Sequence, residues 1–244
     1  MWMICKKEWQ QFFSNLTAYI IIAVFLVVNG LVLFVFEGNI FSFGYATLEK
    51  FFQLAPWILL LLIPAVTMRS LSDEFKSGTF EVLKTLPLTS WQIVAGKYFG
   101  NLLVVFMALL PTLVYIISMQ QLAVGEGLDM AATIGAYLGL FFLAAVFTAI
   151  GICAGSFTNN SVVAFIVSLI ACALLYYGFN AISKLSQLSG GVDYYLEMAG
   201  IDFHYSSISK GVIDTRDVVY FISTIFLLLF ITVRNISLNH VVKK

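Results

Sequence analysis

Six stretches of this chain, Leu16 to Phe36, Phe51 to Met68, Leu102 to Met119, Ala131 to Ala154, Val162 to Phe179 and Val218 to Val233, contain no Asp, Glu, Lys, Arg or His. A bilayer core about 30 Å thick is crossed by roughly 20 helical residues, and such a span must satisfy its own backbone hydrogen bonds. The predicted fold is therefore all-α: a polytopic membrane protein with six transmembrane helices, residues 1–244 forming one domain. The last run is short, but Arg234 can snorkel to its interface and Tyr220 can anchor its other end. Hydrophobic residues make up 61% of the chain and charged ones 11%, at a mean hydropathy of +0.97, whereas about a quarter of residues in soluble proteins are charged. The net charge is zero, so no broad positive field argues for nucleic acid and each charge must act by its position.

An even number of spans puts both termini on one side. If that side is the cytoplasm, it carries Lys6, Lys7, Arg69, Lys76, Lys84, Lys97, Arg234, Lys243 and Lys244, and the outside carries only Lys50, Lys184, Lys210 and Arg216. This asymmetry obeys the positive-inside rule and places the stretch from Arg69 to Lys97 in the cytoplasm. At the start of the chain, Met1, Ile4, Trp9, Phe12 and Phe13 with Lys6 and Lys7 predict a short interfacial helix, its rings at headgroup depth and its lysines in water.

The runs carry no Asp, Glu, Lys, Arg or His, which argues against ion pumps and proton-coupled transporters. An intramembrane enzyme needs an activated nucleophile, but Thr148, Ser168 and Cys172 share their runs with no His or carboxylate. Cys5, Cys153 and Cys172 form no CxxC pair, and His204 and His240 lack metal-ligand spacing. His204 reads as a loop residue. Asn29 and Asn180 read as helix-to-helix or interface hydrogen bonders, and Gly135 with Gly139 and Gly151 with Gly155 as close-packing pairs.

The most informative stretch is RSLSDEFKSGTFEVLKTLPLTSWQIVAGK, from Arg69 to Lys97. Leu71 and Phe75, and again Val82 and Leu86, are four apart, with charges largely on other faces. Gly78 is placed to end a first helix, Thr79 to cap a second with Glu81 near its positive end, and Pro87 to stop it. Thr89 to Gln92 forms a T-x-x-Q capping box that opens a helix into the third span. The expected layout is two short helices near the membrane, a proline corner and an entering helix. Pattern alone leaves two readings open: a hairpin resting on headgroups, or a docking element with Phe75, Phe80 and Leu83 as apolar anchors ringed by charge.

The order EFKSGTFEVLKTLPLT, then WQIVAGK, after the second of six runs resembles the ABC-2 type permeases of ATP-binding cassette (ABC) transporters. The matching positions are Glu74, Gly78, Thr79, Glu81, Leu83, Leu86, Pro87, Gly96 and Lys97. The opening KKEWQQFFSNLTAYIIIAVFLVV and the later HYSSISKGVIDTRDVVYFISTIFLLLFIT resemble the permease subunit of the gliding-motility-associated ABC transporter of Bacteroidetes-type bacteria. The resemblance implies an exporter subunit in the bacterial inner membrane, with a coupling helix seated in a groove of a cytoplasmic ABC ATPase dimer. The residues so assigned to ATPase coupling are Asp73, Glu74, Phe75, Gly78, Thr79, Glu81, Leu83, Leu86 and Pro87. Further expected partners are a second permease copy or a related permease, an auxiliary membrane-anchored subunit, and membrane lipid.

No cofactor, metal or catalytic residue is expected. Around Gly96-Lys97 the P-loop pattern fails, because Trp91 stands at the first glycine and Tyr98 at the Ser or Thr. The outer loop from Ser183 to Asp217, of mixed charge and rich in aromatics, leaves two readings open, an ordered lid with a solvated charged face or a gate, and the resemblance implies short re-entrant helices there. A rival reading is a non-transporting scaffold or channel subunit, distinguished by whether a partner ATPase responds to the chain.

Overall fold

The computed structural model describes residues 1–36, 47–123, 127–184 and 192–238; His240, Lys243 and Lys244 lie outside them. Among the described residues the chain is almost entirely helical, with no strand. Helices α1 (Trp2–Phe13) and α2 (Leu16–Phe34) are bent by 73° from one another. Then come α3 (Glu49–Ser77), the short α4 (Thr79–Thr85) and α5 (Ser90–Leu109). A single 3-10 turn at Leu110–Thr112, containing Pro111, joins α5 to α6 (Leu113–Leu122). After α7 (Met130–Gly155), α8 (Ser161–Ala173) passes through a π-helical turn, Leu174–Gly178, into α9 (Phe179–Ser183). The short α10 (Val192–Met198) and α11 (Ile201–Ser209) precede α12 (Thr215–Leu238). Five units are long and apolar enough to cross a membrane: α3, α5 with α6, α7, α8 with α9, and α12; the bent pair α1 and α2, taken together, makes a sixth.

At about 1.5 Å per residue, the 29 residues of α3 span about 44 Å, well beyond a bilayer core of about 30 Å. Its surplus carries Arg69, Asp73, Glu74 and Lys76. The expected first short helix is therefore corrected: it is the continuation of a membrane helix. No Gly or Pro lies between Met68 and Ser77 to break it, and the helix runs until Gly78, whose φ of 71° supplies the left-handed stop. The capping box at α5 forms as the spacing predicts: Gln92 N donates to Thr89 Oγ1 at 3.3 Å, and Thr89 N to Gln92 Oε1 at 3.1 Å.

The centre of the bundle is α7. Its apolar window is 83% buried, against 22% for α8 with α9 and for α12. Close approach to α7 depends on glycine: a Cβ at Gly151 would lie 2.0 Å from Thr67 Oγ1 of α3, and one at Gly135 would lie 2.8 Å from the Gly211 Cα. A Cβ at Gly139 would lie 3.2 Å from Ile208 Cγ2, while one at Gly155 would make only ordinary contact with Leu71. Thus α11 is packed onto one end of α7. The loop reading of His204 is corrected as well: it lies in α11, buried, with Nδ1 2.7 Å from Asp217 Oδ1 and Nε2 2.9 Å from the Met198 carbonyl oxygen. Between Phe203 and Tyr205, the histidine carries no local mark of Asp217, thirteen residues further on, closing over it.

Candidate functional site

The end of the bundle formed by residues 69–97 has two layers, an exposed ridge and a buried charge cluster behind it. The ridge is α4 with its flanks. Gly78 reverses the chain without steric cost, so α4 folds back beside the end of α3. Phe80 turns inward, 6% exposed, with its ring 4.8 Å from that of Phe75. Lys84 Nζ sits 5.1 Å from the centre of the Phe80 ring and donates to the Ile236 carbonyl of α12 at 3.1 Å. Partial burial pushes the Lys84 ammonium down from its ordinary value, with Glu81 acting in the opposite sense. These contacts fix α4 to both α3 and α12.

Outward, the ridge presents Gly78, Thr79, Glu81, Val82, Leu86 and Pro87, all exposed. Val82 is 67% exposed and Leu86 50%, so the apolar ridge differs from the set expected from pattern. Phe80 is core, Phe75 and Leu83 are half-buried, and Val82 and Leu86 take the outer positions. The reversal at Gly78 rotates α4 against α3, which helical spacing along one segment does not convey. Asp73 is half-buried.

Glu74 belongs to the second layer. Lys97 is fully buried, and its Nζ donates to Glu8 Oε1 at 2.7 Å and to the Ser70 carbonyl oxygen, while lying 2.9 Å from Glu74 Oε2. Glu74 Oε1 accepts from Lys7 Nζ at 2.8 Å, at the half-exposed rim. Ser70 Oγ donates to Glu8 Oε2 at 3.0 Å, and Asn101 Nδ2 donates to Ser70 Oγ at 3.1 Å. Two carboxylates and two ammonium groups make the cluster neutral. Such a group survives burial only when its hydrogen bonds are nearly complete, and here three helices, α1, α3 and α5, contribute to one network.

Helix α1 reaches the network because α5 offers it a smooth face. A Cβ at Gly96 would lie 2.9 Å from Ile4 Cβ, and one at Gly100 2.7 Å from Glu8 Cβ. The expected interfacial helix is therefore also a docked one: Ile4, Cys5 and Glu8 are buried, and Lys6 and Lys7 are exposed. Sequence reasoning assigned Glu74 to ATPase contact and missed Glu8, Ser70 and Asn101. The available signal was Lys97 itself, a lysine deep in a helix and flanked by glycines four apart, which needs a partner if it is buried.

A family model described as ABC-2 family transporter protein matches residues 2–193, which takes in α1 to α9 and both layers. No curated protein matches the chain.

Proposed function

This chain belongs to the ABC-2 transporter family, as a multi-pass membrane permease that works with an ATP-binding subunit, and we propose that the ridge from Gly78 to Pro87 is where that subunit pushes. The observation that carries this reading is the contrast between the two faces of α4. Its inner face is fixed through Phe80 and Lys84, and its outer face leaves Val82 and Leu86 in the open beside Glu81. Apolar groups ringed by charge are what a docking partner buries.

Force applied to α4 meets α3 at Gly78 and α12 at Lys84. From α3 it passes through Glu74 to Lys97, and so to α5 and α1. Of the nine residues assigned to coupling, Gly78, Thr79, Glu81, Leu86 and Pro87 form the contact face. Phe75 and Leu83 support it, Glu74 relays movement inward, and Asp73 sits at the edge. The role is mechanical.

Residues 1–244 act as one transmembrane domain in this reading, with both termini cytoplasmic in a bacterial inner membrane. The lysine and arginine asymmetry supports that orientation. Two copies, or this chain and a related permease, enclose the path, with closed two-fold symmetry as the default. Outward transport and a link to gliding motility are supported by the likeness of the opening and closing segments to that permease subfamily.

The test is co-purification with the ATP-binding subunit from the same cell, with ATP turnover as the readout. Glu81→Lys is expected to weaken association about tenfold, equivalent to about 1.4 kcal/mol, and to lower the turnover response while leaving the permease folded. Equal association and equal turnover in wild type and variant would contradict the assignment. If wild type itself associates with no ATPase, a membrane scaffold becomes the better account.

A further inference from the structure

At the opposite end of the bundle from the ridge, a cavity of about 600 Å³ opens between the start of α3, the start of α7, the π-helical turn and α11. Its volume lies within the range of about 300–1,000 Å³ that holds small organic ligands. The walls are aromatic. Trp57 has its ring centre 5.5 Å from that of Tyr177 and 6.2 Å from that of Tyr176, and Tyr176 is 6.4 Å from Tyr205, with Phe52 also lining the space.

Two backbone features build this wall. The π-helical turn shifts the register of α8, placing Tyr176 in the core at 5% exposure and leaving Tyr177 half in the open. Turns of this kind are rare and occur often at functional sites. In α3, Pro56 precedes Trp57 at the same level.

Among the described residues, the charged groups that line the cavity are Glu49, Asp129, Asp202 and Lys210. Three carboxylates against one ammonium leave a net charge of about −2, and none of the four makes an ion pair among the described residues. Their hydrogen bonds leave acceptor capacity. Glu49 Oε1 takes Gln53 Nε2 at 3.0 Å, Asp129 Oδ1 takes two backbone N–H groups of α7, and Asp202 Oδ2 takes Asn180 Nδ2 at 2.8 Å. Aromatic faces and carboxylates both attract positive charge, the rings most strongly when a cation lies within about 6 Å of their centres. An anion would meet the opposite field.

We infer that this cavity binds an organic cation with an apolar body. The apolar part lies against Phe52, Trp57 and Tyr205, and the positive centre faces Asp202 and Glu49. Calling the occupant cargo rests on the permease reading above; the binding itself does not.

The probe is radiolabelled tetraphenylphosphonium, measured by saturable binding to the full chain in lipid nanodiscs without any ATPase. Tetraphenylborate, with nearly the same shape and the opposite charge, serves as competitor. Wild type is expected to bind one cation per chain, with no competition from tetraphenylborate. The Glu49→Gln/Asp202→Asn double variant should bind about tenfold more weakly, as should Trp57→Leu, both remaining monodisperse. Absence of a saturable component, equal competition by the borate, or wild-type affinity in the double variant would overturn the inference. Cation binding that persists in a chain that recruits no ATPase would sink the permease reading and leave this site standing.

Discussion

Lys97→Met is expected to destabilise the protein by about 3–5 kcal/mol, the range for removing one partner of a buried ion pair. Glu8 and Glu74 would then face each other across a space with no cation but Lys7 at the rim. Because α1 is held to α5 partly through Glu8, the variant should also release α1. Cys5 reports that release: it is 6% exposed on the packed face of α1, and its alkylation should go from slow to fast in the variant, read peptide by peptide by mass spectrometry. Neutralising the whole group, as Glu8→Gln with Glu74→Gln and Lys97→Met, should restore most of the lost thermal stability, since the cost lies in the unpaired carboxylates. Wild-type melting together with a protected Cys5 in Lys97→Met would show that the network does not hold α1.

Gly151→Val tests the other main dependence, the contact of α3 with α7. A Cβ there would fall 2.0 Å from Thr67 Oγ1 and 2.8 Å from Thr67 Cβ. Thr67 has little room to turn away, being fully buried with its hydroxyl bonded to the Ile63 carbonyl at 2.9 Å. Overpacking of this sort costs about 1–3 kcal/mol, and here two helix backbones must separate. Thr67→Ala in the same chain should recover part of the loss, giving a favourable coupling energy between the two sites. Gly155→Ala is the control, since its nearest neighbour is Leu71 Cβ at 3.7 Å, and it should leave stability unchanged. Equal behaviour of Gly151→Val and Gly155→Ala would contradict the packing described.

What the sequence discloses and what it hides divide along a physical line. Uncharged runs, the capping box at Thr89 and the stop at Gly78 are local signals, set by hydration, by hydrogen bonds three residues apart and by one backbone conformation; each is visible in a short window. The continuity of α3 past Arg69 is hidden because charge marks the end of an uncharged run and not the end of a helix, which here comes only at Gly78. The charge cluster joins Glu8 to Lys97 across 89 residues and Lys7 to Glu74 across 67, and no periodicity carries such a pairing. The π-helical turn has the same apolar composition as the helix around it. The ridge was half legible: its position followed from Gly78 and Pro87, but which of its apolar residues face outward depends on how α4 folds back against α3 and α12.

The most direct test of the central claim is photocrosslinking from a benzophenone side chain placed at Val82, in a complex assembled with the ATP-binding subunit, with the same probe at exposed Val162 of α8 as reference. The account predicts an adduct with the ATP-binding subunit from position 82, changing in yield when nucleotide is added, and none from position 162. No adduct from position 82 in a complex that demonstrably forms, or equal adducts from both positions, would contradict it.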